Sequence, residues 1–189
     1  MKTFASVMTS LLLIFVSSGV NAQDTEISPE MKLLAGDAGD WDCEIRMFNP
    51  DGTSAPPTKG TEKSFMLGNM WIIGHFKGEM MGMSFEGASQ TGFNPDTKKY
   101  TGTWVDSMSP HAMTMEGTYD EATKTFTSYG ASKDPAGNEM KMKMTTKYNS
   151  DGSRLFTMYG EQEGESMKMM EILYTRAKGS SPKASSPKK

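Results

Sequence analysis

From Trp41 onward, apolar and polar residues alternate one by one. Trp41, Cys43, Ile45 and Met47 are separated by Asp42, Glu44 and Arg46, the period-two pattern of a strand with one buried face. Comparable runs recur at about 58–66, 70–79, 83–93, 99–106, 111–119, 124–130, 139–148, 154–160 and 166–176, which predicts ten strands. The stretch before them has a different rhythm. Ser28, Pro29 and Glu30 supply a capping hydroxyl, a proline at the first helical position and an acid in the first turn. Met31, Leu33, Leu34 and Ala35 follow, and Gly36 ends the run. A helix this short is expected to lie across an opening or end of something larger.

The connections set the architecture. Phe48-Asn49-Pro50-Asp51-Gly52, Phe93-Asn94-Pro95-Asp96, Tyr119-Asp120-Glu121-Ala122 and Tyr148-Asn149-Ser150-Asp151-Gly152 share one form. An aromatic ends a strand, and an Asn or Asp then bonds its own backbone to open a turn. Asp134-Pro135-Ala136-Gly137-Asn138 is a further tight turn. Short turns force antiparallel hairpins. Ten strands in such a series expose long edges unless the sheet closes, so the expected fold is all-β: an antiparallel up-and-down barrel of about ten strands with a short N-terminal helix. Gly74, Gly78, Gly82, Gly87, Gly92, Gly102 and Gly117 are read as sites of strand bends and bulges.

Both ends of the chain lie outside that pattern. Residues 1–22 have a Lys2 start, an apolar centre from Leu11 to Val16 and small residues at Val20-Asn21-Ala22. This is the form of a cleaved export signal, with Gln23 as the new N-terminus. The apolar run is too short to span a bilayer, and no second one follows. The mature chain is therefore expected to be exported, periplasmic or extracellular, and soluble, without membrane insertion. Residues 177–189 are Ser, Pro, Lys, Gly and Ala, a tail with nothing to bury. The domain proper is then 23–176.

Charge changes once these ends are set aside. The whole chain is at −3, but 15 basic residues face 23 acids within 23–176, a formal −8. A nucleic-acid partner is disfavoured, because no basic stripe is present to release counterions. Cys43 stands alone, so an internal disulfide and a cysteine-built zinc cluster are excluded. It reads as a small buried apolar residue rather than a catalytic thiol.

Several segments also resemble a known family. Gly39-Asp40-Trp41 at the first strand and Tyr174-Thr175-Arg176 at the last are similar to the calycin pattern of lipocalins and fatty-acid-binding proteins. In a closed barrel those two strands are neighbours, and the Arg can lie over the indole. More specifically, residues 78–87, Gly92-Phe93-Asn94-Pro95-Asp96, residues 100–108, residues 116–124 and Met170-Glu171-Ile172-Leu173-Tyr174-Thr175-Arg176 resemble the domain-of-unknown-function family 1579. The resemblance runs over about 31–176. Phe93 stands where the family usually has Tyr, and Ser84 where Pro is common; both bear on packing. The family implies a calycin-like barrel in exported bacterial proteins. It implies no established activity, so no catalytic residue is carried over.

Candidate chemistry follows from the wall. A barrel of this size can enclose one small apolar or amphipathic ligand. Trp71, His75, Phe85, Tyr100, Trp104, Met113, Met115 and Met142 are the expected ligand-binding lining, and Trp41 and Arg176 are assigned to structure. Facing is not fixed by the pattern, since a one-residue slip reverses every side chain of a strand. Three other readings stay open. An enzyme would use His75, His111 or acids such as Glu79, Glu86, Asp106, Glu116 and Glu171. A Cu(I)-binding protein would use the Met-x-Met pairs at 81/83, 113/115, 140/142/144 and 167/169. A filled barrel would be structural or interact through its surface. No Gly-x-Ser-x-Gly elbow, paired-histidine zinc helix or phosphate loop is present, so no cofactor and no metal ligand set is assigned. The oligomeric state is left open.

Overall fold

The computed structural model describes residues 27–133, 137–162 and 165–179. One helix, α1 (Pro29–Ala35), precedes ten strands. These are β1 (Gly39–Met47), β2 (Thr58–Leu67), β3 (Trp71–Met80), β4 (Met83–Asn94) and β5 (Lys99–Asp106), then β6 (Ser109–Asp120), β7 (Thr125–Lys133), β8 (Glu139–Tyr148), β9 (Arg154–Gln162) and β10 (Glu165–Arg176). Each pairs antiparallel with the next, and β10 returns to β1, so the sheet is a closed up-and-down barrel. The closing ladder runs from Trp41 opposite Arg176 to Met47 opposite Met170. The export signal read at 1–22 and residues 180–189 of the tail lie outside the described residues. Among the described residues, no helix is long and apolar enough to cross a membrane.

Four of the five predicted turns form by the predicted chemistry, and residues 134–136 of the fifth lie outside the described residues. Asn49 N donates to Thr53 O at 2.8 Å, and Asp51 Oδ1 accepts from Thr53 N at 2.9 Å. Residues 149–153 repeat this: Asn149 N donates to Ser153 O and Asp151 Oδ1 accepts from Ser153 N, both at 2.9 Å. Asn94 and Asp120 open the β4–β5 and β6–β7 turns by accepting from the backbone two residues on. Hydrogen bonds from the Thr53 hydroxyl and amide to Asp51, from the Thr123 and Ala122 amides to Asp120, and from the Ser153 hydroxyl and amide to Asp151 hold these carboxyls below the ordinary range.

Ser28 Oγ accepts from Met31 N at 3.2 Å, and Gly36 ends α1 in a right-handed conformation with bonds back to Lys32 and Leu33. Met31 and Leu34 on its buried side pack with Ile72 and Tyr100, and Met66, Phe93, Tyr119 and Phe126 surround them. Burying two such side chains stabilises by roughly 1.5–3 kcal/mol each. Tyr100 Oη donates to Glu30 O at 2.9 Å. The helix thus covers the barrel end that carries the β2–β3, β4–β5, β6–β7 and β8–β9 turns. Among the described residues, no helix covers the other end.

The glycine expectation needs correction. The register breaks lie between Lys168 and Met170 and between Trp104 and Asp106, not at glycines. Most of the glycines instead leave room for neighbours. At Gly87 a Cβ would collide with the Trp104 ring. Gly39 has a φ of 132°, and a Cβ there would meet Arg176 Nη1 at 2.5 Å, so only glycine fits.

Candidate functional site

Alternate residues of each strand face a lumen of about 450 Å³. Two different chemistries line it. Toward the uncovered end the wall carries Met47, Met80 and Met140, with His111 beside them, and Met113 and Met115 continue along β6 at the level of Trp104 and Gly102. Phe76, Phe85, Trp104 and Phe156 form an aromatic middle, where Phe85 stacks on Trp104 at 6.3 Å. Trp104 Nε1 is fixed by a 2.9 Å bond to Asp106 Oδ2.

The helix-covered end is charged. Arg154 is 7% exposed and pairs with Asp37 Oδ2 at 2.7 Å and Glu62 Oε1 at 2.5 Å. Tyr148 Oη donates to Asp37 Oδ2 at 2.9 Å, and Ser64 Oγ donates to Glu62 Oε1 at 2.8 Å. The guanidinium carbon lies 4.4 Å from the ring centres of both Trp41 and Tyr174. Arg154 Nε is buried without a hydrogen-bond partner. Burial pulls this guanidinium toward losing its proton, but Asp37 and Glu62 outweigh it and hold it above its ordinary value. Burial raises the Asp37 carboxyl, against the pull of Arg154 and Tyr148. The Tyr148 and Tyr174 phenols are held well up, chiefly by burial. A buried charge costs several kcal/mol unless paired and hydrogen-bonded, and this knot pairs three at once.

Local structure explains its assembly. Asp37 follows Gly36 where the chain leaves α1, and its carbonyl accepts from Trp41 Nε1 at 2.9 Å. Arg154 opens β9 directly after the Asp151 turn. Glu62 sits on the inward face of β2 beside Trp41, its partner across the ladder. Arg176 stays at the rim: its guanidinium carbon is 3.8 Å from the Trp41 ring centre. It donates to Ala38 O at 2.7 Å and to Gly36 O. Trp41 and Arg176 therefore join the barrel seam to the end of α1.

Phe85, Tyr100, Trp104, Met113, Met115 and Met142 are brought together on the lumen wall. Trp71 and His75 are not. On β3 the inward set is Ile72, Gly74 and Phe76, so pleat parity turns both residues outward. Trp71 is 38% exposed, and His75 stacks on Phe65 at 6.3 Å on the outside.

The methionine pairs also divide. Met113/Met115 and Met140/Met142 share the inner wall, and Met144 is buried on the same face of β8. Met81 lies in the β3–β4 turn with φ 52°, and Met83 is exposed. At 167/169 the bulge between Lys168 and Met170 breaks the alternation: Met167 is exposed while Met169 and Met170 both reach the lumen.

The candidate acids have local partners. Glu86 pairs with Lys77 at 2.9 Å, Glu116 with Lys99 at 2.9 Å and Glu171 with Lys168 at 2.8 Å. Asp106 holds Trp104 and the Met108 backbone, while Glu79 is exposed. His111 contacts Ser109, its neighbour on β6. No group of three or more His, Cys, Asp or Glu able to hold a metal occurs among the described residues. Burial pushes the Cys43 thiol to about 12, so it stays protonated.

The charged knot escaped the sequence reading. Arg154 opens an ordinary strand pattern, Glu62 alternates as an outward acid would, and Asp37 lies in an irregular link. The one available signal was the offset of Glu62 and Ser64 within a strand whose other face is Lys59, Thr61 and Lys63.

The profile of the family described as "Protein of unknown function (DUF1579)" matches residues 26–176, and the chain belongs to that family. Among curated proteins none matches. A solved structure, the crystal structure of Rv2717c from M. tuberculosis, superposes with a TM-score of 0.61 at 8% sequence identity. It covers 81% of this chain and 100% of that one. Likeness at this identity is of fold alone.

Proposed function

We propose that this DUF1579 barrel binds one small hydrophobic or amphipathic molecule, non-covalently, inside its lumen. The observation that carries the reading is a cavity of about 450 Å³ walled by thioethers and aromatic rings with a polar cluster at one end. That volume lies within the roughly 300–1,000 Å³ of small-molecule sites, which pair an apolar wall with a few convergent polar groups. Methionine side chains adapt their shape to a ligand at little cost. Residues 1–22 add an export route, in which the mature chain begins at Gln23; intact mass of the secreted protein checks that terminus.

The test uses protein purified without detergent. Native mass spectrometry should show a bound small molecule, and Nile red should gain fluorescence in its presence. Met113→Trp, which fills the lumen, should abolish dye uptake while the circular dichroism stays that of the parent. Equal uptake by parent and variant contradicts the reading.

A second reading, capture of Cu(I), rests on one specific observation. A Cβ on Gly160 would meet Met169 Sδ at 2.7 Å and Met140 Sδ at 3.2 Å, so two thioether sulfurs converge over that glycine. Soft sulfur suits Cu(I). Titration against a competing chelator should give one tight equivalent, lost in Met140→Leu/Met169→Leu. Binding no tighter than the chelator ends this reading.

A further inference from the structure

We propose that the helix-covered end of the barrel docks peripherally on an anionic lipid bilayer. The apolar tip of the β2–β3 hairpin enters the headgroup region, and the lysines that follow β10 bind the headgroups. This surface is independent of what the lumen holds.

The tip carries apolar side chains that the barrel does not cover. Phe65 and Leu67 on β2, Met70 in the turn and Trp71 on β3 are 46%, 59%, 60% and 38% exposed. Leu67 and Trp71 are partners across the ladder, so one apolar patch forms at the hairpin apex. Gly92 faces Trp71 across the next ladder, and a Cβ there would meet the indole at 2.8 Å. That glycine makes room for the ring against the outer face of β4. Beside the tip, a groove between α1 and the β4–β5 and β6–β7 turns is lined by Leu33, Phe93, Pro95 and Tyr119. Single exposed apolar residues are ordinary, but a contiguous patch calls for an apolar partner. Tryptophan favours the boundary between an apolar and a wet phase.

Charge selects the partner. At the groove, Lys32 and Lys98 stand against Glu30 and Glu121, and Lys63 pairs with Asp40 at 3.4 Å. The tip itself is therefore close to neutral, and the positive sign comes from the tail. Ala177 N donates to Asp40 O at 3.1 Å, so the chain leaves β10 at this same end. Beyond that point the sequence carries Lys178, Lys183, Lys188 and Lys189 and no acid. β10, β1 and β2 are successive staves of the barrel, which puts the start of the tail about 10 Å from β2, two strand spacings away. The remainder of the domain, 23–176, is at a formal −8. An anionic surface repels that body and admits the end from which the lysines emerge. An apolar anchor joined to a basic cluster is the pair of signals that holds a protein to a membrane surface. A second copy of the chain fits less well. It would set like-charged tails and acidic bodies together, and a convex apex offers little of the roughly 800 Å² per partner that a stable interface buries. A fluid bilayer closes around a convex apex without a matching shape.

The test mixes the exported protein, beginning at Gln23, with vesicles of phosphatidylcholine alone or of equal parts phosphatidylcholine and phosphatidylglycerol. It reads co-sedimentation and the quenching of tryptophan by brominated acyl chains. Binding should be about tenfold or more tighter on the anionic vesicles and should weaken with added salt. Quenching should vanish in Trp71→Phe, because Trp41 is buried and Trp104 lines the lumen. Leu67→Ser/Met70→Ser changes two exposed positions and should weaken binding about tenfold or more. Replacing Lys178, Lys183, Lys188 and Lys189 with Gln should remove the preference for anionic vesicles. Met113→Trp, which fills the lumen, should leave vesicle binding unchanged, so this surface and the lumen reading fail separately. Equal binding by the parent and Leu67→Ser/Met70→Ser overturns the proposal, as does the absence of co-sedimentation. A dimer in solution that the same double variant dissociates, without vesicle binding, gives the face to a second copy and overturns it too.

Discussion

The two ends of the barrel solve the problem of an interior wall in opposite ways. At the helix-covered end, Arg154, Asp37, Glu62, Tyr148 and Ser64 form a knot of directed ion pairs and hydrogen bonds in which Arg154 Nε is left without a partner. Away from it, Met47, Met80 and Met140, with Met113 and Met115 at mid-wall, present unbranched side chains with no directional demand. Buried ions tolerate one geometry, because a lost partner leaves an uncompensated charge. Thioethers tolerate many geometries, because each contact is a small dispersion gain that another contact replaces. The contrast teaches that a single closed sheet can hold one rigid and one adaptable end.

The largest expected effect breaks the rigid end. Arg154→Leu strands Asp37 and Glu62 and should cost about 3–5 kcal/mol in urea denaturation. Adding Asp37→Asn and Glu62→Gln to that variant should return most of the loss, since the stranded charges are then gone. A loss under about 1 kcal/mol would mean that the knot is solvated.

The aromatic middle comes next. Gly87→Ala drives a Cβ into the Trp104 ring and should cost about 1–3 kcal/mol by overpacking. Displacement of the indole from its Asp106 bond should also shift the tryptophan emission.

Met113→Leu and Met142→Leu probe the adaptable wall and should each cost less than about 1.5 kcal/mol, being volume-conserving. A cost equal to that of Arg154→Leu would erase the contrast between the two ends.

The smallest effect is in the pH dependence. Burial raises the Asp37 carboxyl above 3.8, so the folded state holds that proton more tightly than the unfolded chain. The resulting stability is full below 3.8 and is lost as pH rises through the raised folded value. Asp51, Asp120 and Asp151 contribute in the opposite sense: their depressed carboxyls stabilise above 3.8, and that part is lost on acidification. Asp37→Asn should remove only the first component, seen as a smaller decline in melting temperature from mildly acidic to neutral pH.

The sequence carried the barrel well because its signals are local. Period-two alternation marks each strand, and Asn49, Asn94, Asp120 and Asn149 each announce a turn through their own side chains. The closing pair Trp41 and Arg176 was legible for a topological reason: first and last strands must meet in a closed sheet. The wall was legible only where parity was unambiguous. Trp71 and His75 were misplaced because β3 is apolar on both faces near its start, with Ile72 and Ile73 adjacent. Met169 and Met170 both turn inward because a bulge resets the alternation, and no residue type advertises it. The charged knot was illegible because its members come from a link, from β2 and from β9, distant in sequence and ordinary in local pattern.

The lumen as the seat of an amphipath is tested most directly at its methionine methyl groups. Decylamine titrated into protein carrying isotope-labelled methionine methyl groups should shift the resonances of Met113, Met115, Met140 and Met142 to saturation and leave exposed Met81 and Met83 unmoved. Shifts confined to Met81 and Met83, or none at all in the four lumen methionines, would contradict it.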